Sequence, residues 1–154
     1  MSDRPRLLIV FHTQTGNTGR LAQAVAEGAR DVAEVDTVLL RAFDAGVEEL
    51  LACQGLLIGT PENFGYMSGA VKDFFDRTYY PVEGLTEGRP YGIFVSAGND
   101  GTGAVREIER IANGYRWKRV AEPLIVRKAV TPADVERARE LGEAFASGLA
   151  LKIF

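Results

Sequence analysis

Histidine and cysteine are nearly missing from this 154-residue sequence, which has one of each, His12 and Cys53. A single cysteine closes no internal disulfide, which fits a reducing, cytoplasmic setting. One imidazole and one thiolate make no ligand set for a zinc site, so no metal is expected. A Ser-His-Asp hydrolase would have to use His12, and no G-x-S-x-G elbow accompanies it. Basic excess is also missing: 18 Lys and Arg stand against 21 Asp and Glu, a net charge of −3. Nucleic acid is therefore not an expected partner, because few phosphates could be neutralised. No stretch approaches the roughly 18 apolar residues of a membrane span. The apolar part of the opening MSDRPRLLIVFH is too short for a signal peptide and lacks a small-residue cleavage site.

What remains is the composition of an ordinary globular chain, 46% hydrophobic and 25% charged. The length is that of one domain, so residues 1–154 are read as a single unit with a full core. The 17 glycines cluster after apolar runs, where ligand loops belong.

Apolar runs alternate with amphipathic segments. Arg6–Phe11, Val35–Leu40, Gln54–Gly59, Tyr91–Ser96 and Arg119–Val126 read as strands, the last interrupted by Pro123, which argues for an edge or a bulge there. Leu21, Val25, Ala29 and Val32 mark one face of a helix over Thr18–Asp31. Ser68 is the expected N-cap of a helix to Arg77, followed by a loop over Pro81–Pro90. A further helix spans Thr102–Asn113, and Thr131-Pro132 opens the last one. Val47–Leu51 is worth one or two turns at most. Strands that are continuous apolar runs belong to a parallel sheet covered on both faces. Five of them in this length suit a flavodoxin-like, doubly wound α/β domain of strand order 2-1-3-4-5. Its ligands lie beyond the carboxyl ends of strands one, three and four.

The first of these loops, His12-Thr13-Gln14-Thr15-Gly16-Asn17-Thr18, places three threonines and a glycine at a helix N-terminus. Hydroxyls, free N–H groups and the helix dipole there suit a phosphate monoester held without a cation. The alternative is an ordinary strand–helix turn with Thr18 as N-cap. The loop has no G-x-x-x-x-G-K-[ST] for triphosphates and no G-x-G-x-x-G for a dinucleotide. It also lacks the acidic residues a receiver domain uses for Mg²⁺.

Ile9–Val25 (IVFHTQTGNTGRLAQAV) resembles the flavodoxin signature at every specified position, including Thr13, Gly16, Thr18, Ala22 and Val25. In that family the loop binds the phosphate of FMN, so the resemblance implies this role for Thr13, Gln14, Thr15, Gly16, Asn17 and Thr18. The stretch Gly59–Arg77 carries a Pro-x-x-Phe-Gly-x-Met turn followed by Lys-x-Phe-x-Asp. It resembles the NADPH-dependent FMN reductases and the multimeric flavodoxins related to tryptophan-repressor-binding protein. That likeness implies that Pro61, Glu62, Asn63, Phe64, Gly65 and Tyr66 border the flavin ring. Backbone N–H groups around Asn63 and Phe64 would face the flavin N5, with Phe64 or Tyr66 lining the isoalloxazine. From composition alone, Phe64, Tyr66 and Met67 read equally as core or interface residues.

After strand four, Ser96, Ala97, Gly98, Asn99, Gly101 and Gly103 let backbone amides approach a ligand, here the pyrimidine edge of the ring. A glycine-rich turn capped by Asp100 or Thr102 is compatible with that. Two departures from the relatives stand out. The chain lacks a long insertion after strand four, and it lacks the strong acidity of carrier flavodoxins.

The reading that results is a flavoprotein holding FMN non-covalently. It is an oxidoreductase with NAD(P)H as electron donor, or alternatively an electron-transfer carrier for a redox protein. No side chain is nominated as catalytic, because the redox chemistry is the cofactor's. His12 and Cys53 are given no role. Arg116, Lys118 and Arg119 are read as a solvated rim rather than a subsite for a nicotinamide donor's phosphate. The aromatic run Phe74, Phe75, Tyr79 and Tyr80 exceeds what one helix face buries, so either the long loop Pro81–Pro90 covers it or a second subunit does, and a homodimer is the favoured of the two.

Overall fold

The strands of the sheet are parallel to their neighbours, in the order Asp36–Arg41, Arg6–Phe11, Gly55–Pro61, Pro90–Ala97, Lys118–Arg119. The computed structural model describes residues 3–154. The strands are β1 (Arg6–Phe11), β2 (Asp36–Arg41), β3 (Gly55–Pro61), β4 (Pro90–Ala97), β5 (Lys118–Arg119) and β6 (Leu124–Arg127). The helices are α1 (Asn17–Arg30), α2 (Val47–Ala52), α3 (Gly69–Val82), α4 (Thr102–Tyr115) and α5 (Pro132–Leu151), with a short 3-10 turn at Ala42–Asp44.

Alternate residues of the central strands enter two cores. Leu8, Val10, Leu56, Ile58, Ile93 and Val95 pack under α2, α3 and α4. Leu7, Ile9, Phe11, Leu57 and Phe94 pack under α1 and α5. Both faces are buried, which is why these strands read as unbroken apolar runs. Helices α1 and α5 meet backbone to backbone. A Cβ on Gly28 would strike the Arg139 carbonyl, and one on Gly142 would strike the Val25 carbonyl.

Most element boundaries lie within one or two residues of the sequence-based expectation, and two elements differ by more. Helix α3 runs on through Pro81 to Val82 instead of stopping near Arg77. Val82 is buried and the Tyr79 ring packs edge-on against Tyr115, so tertiary contacts hold the last turn despite the donor that proline lacks. The fifth strand is two pieces, β5 and β6, separated around Pro123 and both paired with β4. The break falls where the proline has no N–H to give the ladder. Of the aromatic run on α3, Phe74 and Phe75 are core residues, Phe75 lying against Tyr115 and Trp117, while Tyr80 remains 79% exposed.

The topology sends β1, β3 and β4 to one edge of the sheet, where α1, α3 and α4 begin. The loops His12–Gly16, Glu62–Ser68 and Gly98–Gly101 are therefore neighbours.

Candidate functional site

The first loop leaves the sheet with the His12 N–H on the Gly59 carbonyl at 3.1 Å. Thr13 Oγ1 accepts from the Gly16 N–H at 3.2 Å, closing a tight turn. Gly16 then takes φ +100° as the N-cap of α1, a conformation that strains any side chain. It supplies no side-chain cap, and no acid sits in the first turn. The N–H groups of Asn17, Thr18 and Gly19 precede the first intrahelical bond, from Arg20 N–H to the Gly16 carbonyl. Thr15 and Gly16 are exposed. The result is a cluster of donors at a positive helix end, open to solvent. A phosphate dianion fits this donor set.

The second loop is pinned at its base by Thr60. Its buried hydroxyl accepts from the Ser68 N–H at 2.9 Å and donates to the Pro61 carbonyl at 2.8 Å. At the tip, Asn63 and Tyr66 exchange N–H···O bonds of 2.8 and 3.0 Å around Phe64 and Gly65. Those two residues have φ +54° and +71°, the pattern of a type I′ turn. Glycine takes such angles freely, whereas phenylalanine is strained there, and the Phe64 side chain is fully exposed. The Asn63 N–H is thus already engaged by Tyr66, leaving the turn's outward amides to Phe64 and Gly65.

The third loop carries Gly98 and Asn99 on the surface and Gly101 at φ +92° pressed against β6. A Cβ on Gly101 would meet Ile125 Cγ2 at 2.5 Å. Asp100 caps the start of α4, its carboxylate accepting from the Thr102 N–H at 3.3 Å and hydroxyl at 2.7 Å. Those bonds, more than the neighbouring Arg127 and Arg106, lower its pKa.

The loops are tied to one another. Asn63 Nδ2 donates to Gln14 Oε1 at 2.8 Å, joining the first to the second. Thr18 and Ser96 share a buried hydroxyl–hydroxyl bond of 2.6 Å, joining the first to the third. Glu62 accepts from the Gly101 N–H at 2.9 Å and the Ala104 N–H at 3.1 Å, joining the second to the third. The Glu62 N–H in turn donates to the Ser96 carbonyl at 2.9 Å. Gly103 lies so close to the Gly65 carbonyl that no Cβ fits between them.

The residues of the three expected ligand loops thus gather at one edge, though several side chains do something other than expected. The hydroxyls of Thr18 and Ser96 face each other, and the Glu62 carboxylate faces α4. None of the three is turned to a ligand. Thr60 was missed. Its only sequence signal is a hydroxyl closing the apolar run Leu56–Gly59.

His12 is half-buried, with its ring edge-on to Phe43 and its Nδ1 buried without a partner. Burial, then the Arg41 guanidinium, lowers its pKa, so it brings no positive charge to the loop at neutral pH. Cys53 is fully buried, its thiol pushed up to about 11 chiefly by burial. Lys118 and Arg119 pair in register with Pro90 and Tyr91 at the far end of β4 from these loops, and Arg119 is bonded to Glu109. A cavity of about 750 Å³ opens at that same far edge, between Pro5, Gln54, Pro90, Leu149 and Phe154. It contains none of the loop donors.

The fold and this loop edge define a doubly wound protein of the flavodoxin type. Solved structures agree: a flavodoxin, WrbA-like protein from Agrobacterium tumefaciens superposes with TM-score 0.81 at 22% identity, covering 96% of this chain and 98% of that one. A flavodoxin from the domain Archaea superposes with TM-score 0.81 at 20% identity, covering 94% and 98%. The chain belongs to the NADPH-dependent FMN reductase family, whose pattern it matches over residues 7–126. FMN is the cofactor of that family.

Among curated relatives, a flavodoxin of Aquifex aeolicus (strain VF5) is 36% identical over 98 residues, covering 64% of this chain and 53% of that protein. An NAD(P)H dehydrogenase (quinone) of Geobacter sulfurreducens is 31% identical over 116 residues, covering 59% and 57%. The chain spans little more than half the length of these relatives. No helix among the described residues is long and apolar enough to cross a membrane.

Proposed function

We propose that this chain is an FMN-dependent oxidoreductase. It takes electrons from NAD(P)H and hands them to a flavin or another small acceptor, with residues 1–154 acting as one FMN-binding domain. The observation that carries this reading is the uncapped, acid-free amino end of α1, set beside two loops already tied in place. Thr13 to Thr18 hold the FMN phosphate, through the N–H groups of the turn and of the first helical turn and through the exposed Thr15 hydroxyl. Pro61 to Tyr66 and Ser96 to Gly103 hold the ring, with Phe64 and Tyr66 as its aromatic border.

Bound there, FMN supplies the redox chemistry by accepting and returning electrons. The chain's own residues bind and orient. The loop cross-links limit the ordering that binding must impose, which favours affinity.

The test is an anaerobic titration of the FMN-loaded protein with NADPH and then NADH, followed by visible absorbance. Rapid bleaching is the expected result. A flavin that dithionite reduces but neither nucleotide does would overturn the reductase assignment. It would favour the second reading, an electron carrier, which the 36% identity to the Aquifex aeolicus flavodoxin supports.

For partners, a homodimer formed across the α3 surface around Tyr80 is proposed, since that ring is left largely in solvent. Sedimentation velocity checks it, and a monomer at every concentration would refute it.

A further inference from the structure

We propose that Glu62 is a positioning residue that locks the second and third loops together and, through its charge, lowers the reduction potential of bound FMN. The inference rests on the FMN reading above. The carboxylate bridges two backbone donors at the start of α4, the Gly101 N–H at 2.9 Å and the Ala104 N–H at 3.1 Å. It comes from a residue 39 and 42 positions earlier, so it is a long-range tie and not a local cap. Asp100 takes only the Thr102 N–H at this helix start, and the N-cap Gly101 has no side chain, so the Gly101 and Ala104 amides are left to Glu62. Close by, the Glu62 N–H holds the Ser96 carbonyl, and Gly103 abuts the Gly65 carbonyl. The two loops proposed to hold the ring therefore share one small interface with Glu62 at its centre.

The charge has a second effect. A free α4 amino end would present N–H groups and a positive partial charge to any ligand in the third loop. Glu62 satisfies two of those groups and replaces the positive field with a negative one. FMN gains negative charge on reduction. A fixed carboxylate nearby opposes that gain, so the reduced form binds less tightly than it otherwise would and the potential falls. Electrons then leave the flavin more readily.

Glu62→Gln keeps the size, removes the charge and leaves only one acceptor atom for two donors. In the ligand-free variant, hydrogen exchange at the Gly101 and Ala104 amides should quicken by about tenfold, with Leu8 and Ile58 in the sheet unchanged. With FMN bound, the potential should rise by about 30 mV, a tenfold change in relative affinity for the two redox forms. Unchanged exchange at both amides, or an unshifted potential, would overturn the proposal. If the wild-type protein takes up no FMN, the FMN reading and the potential arm fall together, and exchange alone decides the tie. Should the variant not fold, wild-type exchange decides. Gly101 and Ala104 amides as unprotected as that of exposed Gly98 would refute the tie.

Discussion

Asn63 donates its side-chain amide to Gln14 at 2.8 Å across 49 positions of sequence, so the threonine-rich first loop and the aromatic turn touch through one exposed hydrogen bond. Gln14→Ala and Asn63→Ala should each weaken FMN binding by about 1 kcal/mol, roughly fivefold in Kd. The double variant should lose little more than either alone. Flavin fluorescence titration of the four proteins closes the cycle, and strictly additive losses would show that the bond does not couple the loops.

Thr15 and Thr18 should part company on substitution. Thr15 is exposed beside the donor cluster, and Thr15→Val should weaken FMN far more than riboflavin, which has no phosphate. Thr18→Val strands the buried Ser96 hydroxyl and should cost about 1–3 kcal/mol of stability even without ligand. Isothermal titration with both flavins, together with thermal unfolding of the apo proteins, separates the two effects. An equal loss of FMN and riboflavin in Thr15→Val would remove the phosphate assignment.

Phe64 holds a left-handed backbone and an exposed ring, so its side chain works against the turn that carries it. Phe64→Gly should raise apo stability by about 1 kcal/mol, net of the extra freedom glycine gives the unfolded chain. The same change should weaken flavin binding by removing an aromatic border. Urea unfolding and flavin titration measure the two sides, and a destabilised variant would show that the turn is not strained.

Cys53 links pH to stability with a definite sign. Its folded pKa, about 11, lies above the ordinary thiol value of 9.0, so the buried thiol stabilises the fold fully below pH 9. That contribution is lost as pH climbs towards 11, at up to about 1.4 kcal/mol per pH unit. Compared with Cys53→Ala, wild-type protein should lose its stability advantage across this window. Because tyrosine and lysine titrations are common to both proteins, the difference isolates the thiol. FMN uptake by Cys53→Ala should match wild type.

The parts of this fold legible in the sequence are those set by near neighbours. Ser68 caps α3 by accepting from the Val71 N–H, and Thr131 with Asp134 forms a reciprocal cap on α5. Both helix starts are legible in the cap residue itself, Ser68 in the one and Thr131 followed by Pro132 in the other. The double burial of β1 and β3 follows from their unbroken apolar runs. Pro81 misled because a proline argues locally for a helix end, whereas Val82 and Tyr79 are held by packing that no short window contains. The first and third loops of the candidate site are legible in glycine and threonine spacing, and the second through the resemblance carried by its Pro-x-x-Phe-Gly-x-Met turn. What their side chains do was not legible, since Thr18 and Ser96 meet across 78 positions and Glu62 finds its donors on another helix. The left-handed Phe64 ran against its own residue preference, which is why Asn63-Phe64-Gly65-Tyr66 did not read as a hairpin turn.

The backbone contact between Gly28 on α1 and Arg139 on α5 also sets an order of events in time. Strand β1 and helix α1 leave the ribosome before α5, yet the surface that seats α1 includes α5. Until α5 has been synthesised and docked, α1 is seated on the sheet alone. A chain stalled before residue 132 should therefore hold its first helix loosely and take up FMN more weakly than the finished domain.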